Sequence, residues 1–289
     1  MAKKSQAKPS VRDALRVPVG GKRWSPLEPD SIPIGPDSKT KAAKDVAATE
    51  VRLAELQEAL YAEGVGGGSR SVLLVLQGMD TSGKGGTIKH VCGQVNPQGL
   101  HIASFKKPTR AELRHHFLWR IRRQVPAAGM VGVFDRSHYE DVLVVRVNEL
   151  VPRDVWSARY EEINEFEAEL TAQGVTLIKC FLHISPDTQK ERLLARLKNP
   201  AKHWKYNPAD VDGRAHWSAY QTAYFDALSR CSTVDSPWYV VPSDRKWYRN
   251  WLVGRLLLET LEDLKPQVPP GDFDVDAELA RLVEADPLS

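Results

Sequence analysis

Residues 78–86 read GMDTSGKGG, and Gly78, Gly83 and Lys84 fit the phosphate-loop spacing G-x-x-x-x-G-K. Glycines at those positions let backbone N–H groups turn toward an anion. A following helix adds the positive end of its dipole, and the lysine adds a point charge. The loop positions expected against phosphate are Gly78, Ser82, Gly83 and Gly85. Two features depart from the common pattern. The residue after the lysine is Gly85 rather than a Ser or Thr hydroxyl that would hold a metal, and an acid, Asp80, sits inside the loop. A Gly-rich strand-to-helix turn with no ligand is the bland reading, and the lysine in this context weighs against it.

A second constellation is MVGVFDRSHYED at 130–141. A short apolar run ending in Asp135 presents a carboxylate to a metal at the carboxyl edge of a sheet, and Arg136 follows at once. The alternative is a structural Asp135–Arg136 salt bridge. Glu140 and Asp141 add carboxylates, one of them placed to orient Arg136 rather than to touch metal. A third is RLKNPAKHWKYNPADVDGRAHW at 196–217, where Arg196, Lys198, Lys202, Lys205 and Arg214 face only Asp210 and Asp212, with Arg192 just before. A charge run is most often a solvated face; after a strand and its helix, this one reads as a phosphate-binding lid. Lys106, Lys107, Arg110 and Arg114, followed by Arg120, Arg122 and Arg123, form a fourth group. Lys106 and Lys107 lie just past a strand, at the edge where open α/β sheets bind ligands, and Arg120 is a supporting cation. The histidines have no metal spacing, and no Ser/His/Asp or Cys/His arrangement is legible.

Elements able to position these groups alternate along the chain. Strands are expected at 71–77 (SVLLVLQ), 101–105, 130–135, 175–185 and 238–242. Helices are expected at about 84–93, 109–124, 154–172, 187–198, 214–231 and 245–264, and after Ser38, where Val46, Leu53, Leu56 and Leu60 share a face. Unbroken apolar strands alternating with helices imply an α/β fold: a three-layer α/β/α sandwich with a parallel central sheet. Residues 1–38 read as a mobile tail and an extended segment lying on the body, 39–270 as the main domain including a lid near 196–217, and 271–289 as a C-terminal tail. With 42% apolar residues the chain can build a core, and a net charge of +3 excludes a generic polyanion or nucleic-acid binder. Three scattered cysteines argue against a disulfide framework or zinc site. No membrane span or secretory signal is legible, so a cytoplasmic protein is expected. The apolar stripe of 154–172 (Trp156, Tyr160, Ile163, Phe166, Leu170) is offered as a contact for a homodimer or tetramer.

GMDTSGKGGTIK, FDRSHYED, NPAKHWKYNPAD and PWYVVPSD, in that order over about residues 45–265, resemble the motifs of the family-2 polyphosphate kinases. That resemblance implies a P-loop kinase similar to thymidylate kinases, with a helical lid. It implies magnesium, with manganese as a substitute, and reversible phosphoryl transfer between inorganic polyphosphate and purine nucleoside mono- or diphosphates. On the same resemblance Asp80 and Asp135 hold the metal, Lys84 and Arg136 contact the phosphoryl group in transfer, and Arg196, Lys198, Lys202 and Lys205 contact phosphate chains. VNPQG, FLWR and KHWK look most like the branch that accepts nucleoside monophosphates and often diphosphates too, whereas Gly85 and Asp135 look like the diphosphate-using branch. Two other readings stay open at this point. One is an ATP-dependent nucleotide kinase of the thymidylate-kinase type, separated by donor competition. The other is a phosphate-binding module without turnover, against which two metal-grade carboxylates argue.

Overall fold

SVLLVLQ has no polar alternation, so both of its faces must be covered. In the computed structural model, which describes residues 10–20, 24–285 and 288, it forms the central strand β1 (Ser71–Gln77). With β2 (Leu100–Ser104), β3 (Val131–Asp135), β4 (Val175–His183) and β5 (Trp238–Pro242) it makes one sheet of order β2-β3-β1-β4-β5, parallel throughout. The two-residue period of β1 sorts its side chains. Val72, Leu74 and Leu76 enter one core, and Leu73 and Val75 the opposite one.

The helices in chain order are α1 (Val11–Leu15), α2 (Lys39–Val65), α3 (Lys84–Cys92), α4 (Trp119–Arg122), α5 (Val144–Val147), α6 (Arg153–Ala172), α7 (Pro186–Leu197), α8 (Ala209–Asp212), α9 (Trp217–Cys231), α10 (Lys246–Leu264) and α11 (Val275–Glu284). Residues of α1, α2, α3 and α10 build the core on one face of the sheet; α4, α6 and α9 build those on the other. This is the expected three-layer arrangement. Ser38 caps α2, its side chain accepting from the N–H of Lys41. No helix among the described residues is long and apolar enough to cross a membrane.

Three expectations need correction. The helix expected over 109–124 is two short pieces, a 3-10 turn at Glu112–Arg114 and α4, separated by extended backbone at His115. Thr109 and Glu112 cap each other and start a turn (2.7 and 3.2 Å), but the first piece buries nothing, while α4 is held by Ile121. Packing rather than propensity decides where this helix survives. The stripe of α6, read as an oligomer contact, is used within the chain: Tyr160, Ile163, Phe166 and Leu170 are all buried. In the N-terminal stretch, residues 11–15, read as part of a mobile tail, are helical. Glu259 of α10 explains why, accepting from Ser10 Oγ (2.8 Å) and from the N–H groups of Val11 (3.1 Å) and Arg12 (3.2 Å). A carboxylate borrowed from another helix thus joins the Ser10 cap, whose hydroxyl accepts from Arg12 N–H (3.1 Å), in satisfying α1's first turn. Beyond it, Arg16 bridges antiparallel to Tyr239 on β5, Val17 N–H donates to Trp238 (2.8 Å), and Trp24 stacks on Phe225. Residues 1–9 and 21–23 of that stretch lie outside the described residues. Within 271–289, α11 is helical and leaves Leu279, Leu282 and Val283 exposed.

Candidate active site

The phosphate loop runs from the end of β1 to α3, and its backbone is unusual at several points. Gly78 and Gly83 take positive φ (152° and 106°), and so does Thr81, a non-glycine residue, at 65°. The loop carbonyls are claimed by side chains around them. Lys84 Nζ donates to Gly78 (2.8 Å), Gln189 to Asp80 (3.1 Å), Arg192 to Thr81 and Ser82 (2.8 and 3.1 Å), and Arg249 to Ser82 (3.0 Å). The first-turn N–H groups of α3 have no intrahelical acceptor and remain for an anion. The hydroxyls of Thr81, Ser82 and Thr87 are buried without a partner, as in a cradle built for further polar atoms. At Gly85 an added Cβ would meet open space, so no steric demand explains the missing Ser or Thr there.

Strand β3 delivers the second half of the site. Its register sets Asp135 opposite Leu76, next to the loop, and Arg136 N–H donates to Leu76 O (3.1 Å). Arg136 adopts a left-handed φ of 66°, which turns its side chain off the strand direction. Its guanidinium bonds Asp80 (2.7 Å) and lies 3.5 Å from Glu140. Glu140 is therefore the carboxylate that orients Arg136, while Asp141 pairs with Arg159 (3.1 Å). The Gln77 amide, turned so that its nitrogen donates to Glu140 (3.0 Å), accepts in return from Ser137 N–H (3.0 Å).

Charges in the site are mutually adjusted. Burial, then repulsion by Arg136, lowers the Lys84 pKa, against the attraction of Asp80, Asp135 and Glu140. Burial raises Glu140 despite Arg136. Burial also works against Arg136, yet Glu140 and Asp80 outweigh it and hold the guanidinium firmly charged. On the lid, burial and the negative charge of Asp80 raise Asp210.

Two cavities meet at Arg136 and Glu140. One, of about 320 Å³, lies between the loop (Gly78, Asp80) and the lid (Asp210, Asp212, His216), with Tyr220 and Tyr224 of α9 behind. The other, of about 620 Å³, has Lys106, Lys107 and Arg159 at its polar side and Phe105, Leu113, Val145 and Leu150 at its apolar side. The lid itself is helical: a 3-10 turn at Pro200–Lys205, α8, and a second turn at Gly213–His216.

The sequence-predicted residues divide accordingly. Gly78, Asp80, Arg136 and Glu140 line the first cavity, and Lys106 lines the second. Lys84 is buried beneath the loop. Arg120 donates to the Lys106 carbonyl (2.8 Å) and so supports its position. Arg196 bonds Lys205 O (2.8 Å) and Asp210 (3.2 Å), holding the lid to itself. Lys198, Lys202 and Lys205 are exposed on the lid and line neither cavity. Sequence reasoning missed Gln189, Arg249, Tyr220 and Tyr224. Arg249 carried a readable signal, a charge between Tyr248 and Leu252 on the buried face of α10.

Asp80 and Asp135 are hard oxygen donors close enough to influence Lys84, and unpartnered hydroxyls lie beside them. That set suits a hard divalent cation taking most of its ligands from phosphate oxygens and water. No group of three or more His, Cys, Asp or Glu able to hold a metal occurs among the described residues.

A phosphate loop after β1, an acid–arginine pair at the end of β3 and a basic helical lid over them define a P-loop phosphotransferase. A family profile described as polyphosphate kinase 2 matches residues 37–269, and the chain belongs to that family. It is 49% identical over 243 residues to the AMP/ADP-polyphosphate phosphotransferase of Meiothermus ruber, covering 84% of this chain and 90% of that protein. It is 44% identical over 230 residues to the ADP-polyphosphate phosphotransferase of Rhodopseudomonas palustris, covering 75% and 78%. The crystal structure of polyphosphate kinase 2 from Arthrobacter aurescens TC1 superposes with a TM-score of 0.92 at 48% identity, over 96% of this chain and 98% of that one.

Proposed function

We propose that the protein catalyses reversible, magnesium-dependent phosphoryl transfer between inorganic polyphosphate and purine nucleotides. AMP or GMP is converted to the diphosphate, and the diphosphate onward to the triphosphate. The observation that carries this reading is the meeting of two cavities at Arg136. The cavity under the lid sets Asp80, Glu140, Asp210 and Asp212 against Arg136 and His216, so it would take the end of an anionic chain together with magnesium on its carboxylates. The second combines lysines with an apolar wall, suited to an acceptor with both a phosphate and a base. Names of the relatives, which couple polyphosphate to AMP and ADP, support the same substrates.

In this reading the loop N–H groups and Lys84 hold the donor's terminal phosphate. Arg136, aimed by Glu140 and Asp80, reaches the equatorial oxygens as charge develops on them. Lys106 and Lys107 orient the acceptor phosphate for in-line attack. Asp80 and Asp135 would hold magnesium, which on binding neutralises phosphate charge; manganese is expected to substitute. Closure of the lid excludes water, so that the phosphoryl group passes to the nucleotide rather than to solvent.

Purified protein incubated with AMP or ADP, magnesium and long-chain polyphosphate, without ATP, is expected to form ADP or ATP. The absence of any new nucleotide would overturn the proposal. Activity with ATP as donor but not with polyphosphate would point instead to an ATP-dependent nucleotide kinase.

A further inference from the structure

Helix α10 carries a charge where its neighbours are core. Arg249 is only 3% exposed, between the fully buried Tyr248 and Leu252. Its Nη1 donates to Ser82 O (3.0 Å), and its Nε and Nη2 donate to Asn250 (3.2 and 2.8 Å). No carboxylate forms an ion pair with it among the described residues. The charge that bears on it is Arg192, of like sign, and burial followed by that repulsion pushes the guanidinium down to about 9. Arg192 differs: it is only half-buried against the loop, and Asp244 and Glu191 counter its charge.

Loop geometry is fitted to this side chain. A Cβ on Gly83 would lie 1.9 Å from Arg249 Nη1, and one on Gly86 would lie 3.2 Å from Nη2. Gly83 is thus required twice, for its φ of 106° and for the guanidinium behind it. A buried cation without a counter-ion is costly, and such groups persist where a ligand supplies the missing charge. The same loop and the first turn of α3 offer their N–H groups to phosphate.

We propose that Arg249 is a positioning residue for the donor: its uncompensated charge beneath the phosphate loop is neutralised when the donor's phosphate binds above it. The inference rests on the reading of this loop as the polyphosphate site. It assigns part of donor affinity to α10, outside the phosphate-loop, acid–arginine and lid motifs. Free protein bears the cost of the buried charge, and the donor-bound form recovers it.

The test uses tripolyphosphate with magnesium as probe, read by calorimetric titration and by thermal unfolding, on Arg249→Gln and Arg249→Lys. Glutamine removes the charge and ends short of Ser82 O, which keeps its bond from Arg192; lysine keeps the charge. Arg249→Gln is expected to melt no lower than wild type without ligand, yet to bind tripolyphosphate about ten- to a hundredfold more weakly, the range for a lost charge-assisted contact. Its KM for polyphosphate should rise while the KM for the nucleotide acceptor holds, and Arg249→Lys should recover most of the affinity. Wild-type affinity in Arg249→Gln, or equal losses in the glutamine and lysine variants, overturns the proposal. If Arg249→Gln does not fold, Arg249→Met carries the test: it removes the charge without leaving a buried polar group of its own unpaired, and unchanged tripolyphosphate affinity there overturns the proposal equally. Failure of wild type to bind tripolyphosphate at all would bring down the donor reading itself, and this proposal with it.

Discussion

Asp80 bears two demands, and Asp80→Asn separates them. In the structure its carboxylate bonds Arg136 at 2.7 Å, with both side chains more than a third exposed (39% and 37%). Water screens such a pair, so its contribution to stability is about 1 kcal/mol at most. Asparagine retains an oxygen that can accept from Arg136. For a chain of this size the melting temperature should therefore move by no more than about 4 °C. In the proposed metal-holding role Asp80 is worth far more. Losing one preorganised charge partner in a phosphoryl-transfer site costs about 3–4 kcal/mol in the transition state, or roughly 10²–10³-fold in kcat. Leaving Arg136 to meet the metal should cost about 1 kcal/mol, which lowers apparent magnesium affinity about fivefold relative to an unpaired carboxylate. The assay is nucleotide formation from polyphosphate across a magnesium titration, alongside thermal unfolding without ligand. A variant within tenfold of wild type, with unchanged magnesium dependence, would refute the metal role and leave Asp80 as a partner of Arg136 alone.

Lys84→Met should lower kcat by about 10²–10³-fold without lowering the melting temperature, because burial and Arg136 already oppose the charge it removes. Steady-state rates and calorimetry on one preparation check both halves. Lys179 and Glu167 are fully buried 2.5 Å apart, and Glu167 also accepts from His138, Tyr139 and Ser236. Lys179→Met should destabilise by about 3–5 kcal/mol, and adding Glu167→Gln should restore much of it in urea unfolding. A full loss retained in the double variant would contradict the pairing. His183, which bonds Leu27 O through Nδ1 (2.9 Å), has its pKa lowered from 6.5 mainly by burial. The unfolded chain therefore takes up protons first, and stability should fall as pH drops below 6.5 toward the lower folded value. His183→Gln should flatten that part of the stability–pH curve relative to wild type.

The five strands and the long helices were legible because burial on two faces or one leaves a periodic trace. SVLLVLQ and the α6 stripe are plain instances. Gly78, Asp80, Lys84 and Arg136 were legible because the loop and the β3 terminus are contiguous in sequence. The helix expected over 109–124 failed because local propensity does not record that its first half has nothing to pack against. Gln189 and Arg249 escaped for a different reason. Each reaches the loop from an element more than 100 residues away in the chain, and only the sheet order brings them together. Arg249 is a charge on an apolar helix face that periodicity could have exposed, but no pattern names its partner.

Residues 10–38 have a practical consequence for anyone dissecting the chain. The family profile begins at residue 37, and a fragment cut to that span would look complete by motif. It would strip Glu259 of Ser10, Val11 and Arg12, remove Leu27 from His183 and Ile34 from Tyr248, and uncover the outer edge of β5 where Arg16 and Val17 now lie. An uncovered edge strand invites pairing with other chains. Such a fragment is expected to aggregate or lose solubility while retaining every residue of the phosphate loop. The stretch that carries the chemistry is shorter than the stretch that keeps the sheet's edge covered.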